Sequence, residues 1–92
     1  MALRQTSRTD SSETIGIRAI AFLAGREDDL MRFVTLSGLD PADLRARAGE
    51  PEVLAAVLQH LLMDDGVLTA FCAAEGLEPK AVHLAQHKLA GG

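Results

Sequence analysis

Few residues in this chain could do chemistry: three histidines, one cysteine, and a scatter of carboxylates and guanidinium groups. His83 and His87 stand four apart, as do His60 and Asp64. That spacing sets two side chains on one face of a helix and, with further ligands, can hold a metal. Neither pair has the adjacent Glu of a zinc-protease helix, and no cysteine cluster supports either. His83 and His87 also fall off the helical face that carries Val82 and Leu89. They are read as solvated, and His60 as a half-buried side chain hydrogen-bonded to Asp64 or to backbone. No metal site and no cofactor are assigned, and a metal-dependent role through His83 and His87 is kept only as a second alternative function.

Cys72 follows Phe71 on an apolar stripe and is read as a small buried hydrophobe. A nucleophilic role would need a neighbouring base and a lowered pKa, and the local sequence offers neither. No Ser-His-Asp order, phosphate-binding glycine loop, dinucleotide fingerprint or paired-carboxylate pocket is visible, so no catalytic residues are assigned. Arg45 and Arg47 follow a glycine turn, as they would in a DNA-reading helix-turn-helix. Against that reading, Asp40 and Asp43 lie in the same segment and the chain carries a formal charge of -4, which opposes a phosphate backbone. Nucleic acid is kept only as the alternative partner. The acidic runs Glu27-Asp28-Asp29 and Asp64-Asp65 are read as helix starts, where carboxylates meet the positive end of the dipole.

These residues must be carried by helices. The chain is 48% hydrophobic with three aromatics, all Phe, which implies an aliphatic core and an all-α protein. Pro51 to Met63 is apolar around almost its whole circumference and, at thirteen residues, falls short of the roughly 20 needed to cross a bilayer. It is therefore expected to be the buried axis of one small domain, with no membrane partner. Residues 1–12 are polar and aperiodic and are expected to form a disordered tail, with Asp10 to Ser12 offering an N-cap for a helix from Glu13 to Ala24. A stripe of Leu30, Phe33 and Val34 predicts the next helix, and Pro41 to Ala48 a short third one. Val67 to Glu75 and a final helix after Pro79 complete six.

Gly38-Leu39-Asp40-Pro41 reappears as Gly76-Leu77-Glu78-Pro79, 38 positions later. In that register Leu30, Phe33, Val34 and Leu44 fall on Leu68, Phe71, Cys72 and Val82, and Ile15, Ile20 and Leu23 fall on Val53, Leu58 and Leu61. This predicts a single domain over 13–90 built of two tandem three-helix repeats, 13–50 and 51–88, packed around a pseudo-twofold axis. The corner itself has a physical logic: a left-handed glycine ends one helix, and the acid and proline cap and begin the next.

The segments Glu13 to Gly25, Phe33 to Leu44 and Ala73 to Pro79 resemble a family of small bacterial proteins known as domain-of-unknown-function family 3572. The resemblance covers the folded part of the chain and implies a bacterial cytoplasmic protein. One cysteine and the lack of an apolar leader point to the same compartment. With catalysis set aside, the remaining expectation is a helical surface for an unidentified protein partner or a second copy. The small, weakly polar face of Ala55, Ala56, Gln59 and Met63 is where another helix could approach.

Overall fold

A computed structural model describes the backbone of residues 3–91 and the side chains of residues 11–91. Among these residues there are six helices: α1 (Leu3–Ala24), α2 (Glu27–Ser37), α3 (Pro41–Ala46), α4 (Pro51–Leu62), α5 (Asp65–Glu75) and α6 (Pro79–Leu89). The all-α expectation holds. Helix α1 is longer than expected, beginning at Leu3 instead of Glu13, so Asp10 to Ser12 lie within it and do not cap it. No proline or glycine occurs between Leu3 and Gly16, so nothing in that run stops the helix. Ser12 is buried. Helix α2 takes Glu27, Asp28 and Asp29 into its first turn, where they meet the dipole's positive end.

Local chemistry fixes most of the boundaries. Gly38 closes α2 at φ 79°, its N–H donating to the Val34 carbonyl, and Gly76 closes α5 at φ 67°, its N–H donating to Cys72. The next two residues of each corner differ in one detail. Asp40 accepts a 2.8 Å hydrogen bond from the Asp43 N–H, whereas the longer Glu78 makes no side-chain cap. Asp64 caps α5 through Oδ1, which accepts from the N–H groups of Gly66 (3.0 Å) and Val67 (3.2 Å). Helix α3 stops at Ala46, short of the expected Ala48. Arg47 leaves the helix, and its guanidinium binds Glu50 at 3.0 Å.

Helix α4 is the axis. It packs against α6, α1, α5 and α2, and α1 also packs along α6. Val53, Leu54, Val57, Leu58 and Leu61 of α4 are buried with Leu23 of α1, Phe71 of α5 and Val82 of α6 in one cluster. The close approach of α1 and α4 depends on Gly16. A Cβ built there would lie 2.8 Å from the Leu54 Cβ, well inside van der Waals contact. The aromatics close the core edge-on: Phe22 meets Phe71 with ring centroids 5.3 Å apart. Arg18 ties α1 to the last turn of α5 by a 2.9 Å bond to Glu75. The helices that the expected repeat would pair differ in length, α1 having 22 residues against 12 in α4, and α3 having 6 against 11 in α6.

Candidate partner-binding groove

Where α2 passes α4, side chains one turn apart on each helix open onto a shared depression of about 340 Å³. Helix α2 supplies Phe33, Leu36 and Ser37; helix α4 supplies Ala56, Gln59, His60 and, at its end, Met63. Phe33 is buried and meets the His60 ring edge-on at 5.3 Å, forming the floor. Leu36 and Met63 stand at the rim, 69% and 73% exposed. These are the two most exposed large apolar side chains among the described residues.

Charge is confined to the margins. Arg32 Nη1 lies 3.3 Å from Asp64 Oδ2 and 3.8 Å from Asp29 Oδ1. Burial lowers the pKa of His60 below its ordinary 6.5, and Arg32 lowers it further, while Asp64 and Asp29 pull the other way. Asp64 accepts from Arg32 and from the N-terminus of α5, and in place of the expected hydrogen bond donated by His60 to Asp64 or to backbone the His60 ring meets Phe33. A neutral, half-buried imidazole on an apolar floor suits packing against a ligand. Each methylene that enters such a groove gains about 0.8 kcal/mol.

The sequence-derived surface is partly this one. Ala56, Gln59 and Met63 line the groove, but Ala55 is 6% exposed and belongs to the core cluster. Its neighbours explain the correction: α4 is apolar on nearly every side, and Ala55 turns into the core beside Leu54. Leu36 and Ser37 were not foreseen. An exposed leucine off the Leu30, Phe33, Val34 stripe was the available sign. Arg45 borders a smaller depression of about 160 Å³ with Ile20, Leu30 and Leu44, whereas Arg47 is held by Glu50. His83 and His87 are exposed, and among the described residues no three His, Cys, Asp or Glu side chains gather to hold a metal. Cys72 is buried, and burial pushes its thiol up from the ordinary 9.0.

Six helices around a single apolar axis, with an open apolar groove between α2 and α4, define a small helical protein with no visible catalytic constellation among its described residues. A family model described as "Protein of unknown function (DUF3572)" matches residues 9–92, nearly the whole chain, and the chain belongs to that family. No curated protein and no solved structure matches it. Among the described residues no single helix is long and apolar enough to cross a membrane.

Proposed function

We propose that this protein is a non-enzymatic interaction module of the cytoplasm, which receives an apolar side chain of a partner helix in the groove between α2 and α4. The observation that carries the reading is the exposure of Leu36 and Met63 on either side of a floor made by Phe33 and His60. Leaving two large apolar side chains in water forgoes stability that their burial would supply, and contiguous apolar surface of this kind is characteristic of binding sites. Helix-in-groove recognition is the mode that fits two helices with a trough between them.

The test is capture of partners from native-host lysate, with and without nuclease, by the tagged protein and by a Leu36→Asp, Met63→Asp variant. Both positions are exposed, so the variant keeps its fold, which circular dichroism checks. The expected result is a protein that co-purifies with the wild type, survives nuclease, and is lost from the variant. Equal recovery by both forms would sink the proposal. Recovery that depends on nuclease-sensitive material and on Arg45 and Arg47 would favour nucleic acid instead.

A further inference from the structure

Helix α6 contains no carboxylate. Its ionisable side chains are Lys80, His83, His87 and Lys88, and all four are exposed. At 100° per residue they share an arc of about 140°, opposite buried Val82, Ala85 and Leu89. Within that arc stands Leu84, 58% exposed, with Lys80 one turn before it and Lys88 one turn after. The helix thus presents a single apolar side chain framed by cations.

The α2–α4 groove is the converse. It is apolar within, and its margins hold the carboxylates of Asp29 and Asp64, with Arg32 paired to both. Glu52 is exposed one turn before Ala56, on the same stripe of α4. Arg26 also binds Asp29, at 2.6 Å, so three carboxylates stand against two guanidinium groups and the margins keep one net negative charge. At 1.5 Å per residue, Lys80 and Lys88 are about 12 Å apart along their helix and Glu52 and Asp64 about 18 Å apart along theirs, a difference within reach of flexible lysine stems.

Resting on the reading of that groove as a docking site, we infer that its occupant is the α6 face of a second copy of this chain. Leu84 of one copy enters between Leu36 and Met63 of the next, and the lysines meet the marginal carboxylates. Pairing groove against groove would instead bring like charges together. The contact joins two different patches, so copies add head to tail. One leucine and a charged rim make a small contact, at the weak end of the range of protein interfaces.

Sedimentation equilibrium over rising concentration tests this directly. The average mass should climb above the 9.8 kDa of one chain, and less steeply as salt is added. Leu84→Glu, the pair Lys80→Glu with Lys88→Glu, and Leu36→Glu should each weaken association by about tenfold or more, the scale for loss of an interface anchor. The decisive arm mixes the Leu84→Glu protein, whose groove is intact, with the Leu36→Glu protein, whose α6 is intact. A one-to-one dimer should form from two proteins that are each monomeric alone. Wild type that stays monomeric at every concentration overturns the inference, as does self-association that Leu84→Glu leaves unchanged. Association lost in Leu36→Glu but kept in Leu84→Glu overturns the α6 occupant while leaving the groove standing. If no groove substitution alters any binding, both readings fall.

Discussion

Gly16 of α1 lies directly against Leu54 of α4, close enough that a methyl group on Gly16 would stand 2.8 Å from the Leu54 Cβ, and the two positions are 38 residues apart. Helix propensity alone would make Gly16→Ala stabilising by about 0.8–1.0 kcal/mol. Steric conflict with a buried backbone-proximal atom reverses the sign, and overpacking of this kind costs roughly 1–3 kcal/mol. We expect Gly16→Ala to lower the urea midpoint. Gly49→Ala, where nothing lies within 4 Å, should leave it nearly unchanged. A stabilised Gly16→Ala protein would show that α1 and α4 do not approach here.

Gly38 and Gly76 act through conformation instead of space. Both have positive φ, and no atom within 4 Å would meet an added Cβ. Alanine at either position should cost about 1–2 kcal/mol, the penalty of the left-handed region for an L residue. Asparagine, which tolerates that region better, should recover part of the loss in thermal unfolding. Equal losses for alanine and asparagine would point away from backbone strain.

These corners show what was legible in the sequence. Gly-Leu-acid-Pro is local chemistry, so both helix ends and the Asp40 cap could be read without knowing the packing, whereas Glu78 forms no side-chain cap. The early start of α1 was hidden because a polar run without periodicity gives no positive sign of helix, although it also lacks a breaker. Ala55 was misplaced for a different reason: when nearly every side of a helix is apolar, the wheel does not say which small residue faces the core. Leu36 and Phe33 become a groove with Ala56 and His60 only once α2 crosses α4, which is tertiary information.

His60 gives the fold a dependence on acid. Its pKa is lowered in the folded protein by burial first and Arg32 second, against the opposing pull of Asp64 and Asp29. The unfolded chain therefore binds the proton more readily, and stability falls as pH drops below the ordinary 6.5. The urea midpoint of His60→Phe relative to that of wild type should rise as pH falls below 6.5, the variant keeping more of its stability in acid. Parallel pH profiles for the two proteins would remove His60 as the source.

Cys72 should be chemically silent while the protein is folded. It is 6% exposed, and burial raises its thiol above 9.0, so little thiolate is available to react. A thiol reagent such as Ellman's should label the native protein slowly, at a rate set by opening of the core, and at once in denaturing urea. Rapid labelling in buffer would mean that the α5 face of the core is open.

The packing of α1 along α6 joins residues 3–24 to residues 79–89, and α4 packs against both. A ribosome delivers these helices in order, so the faces of α1 and α4 that α6 covers stand open until the chain beyond residue 79 has been made. Folding of this core must then wait for synthesis of its last helix. Over that interval the nascent segments, not the finished protein, are the species that most need protection from one another.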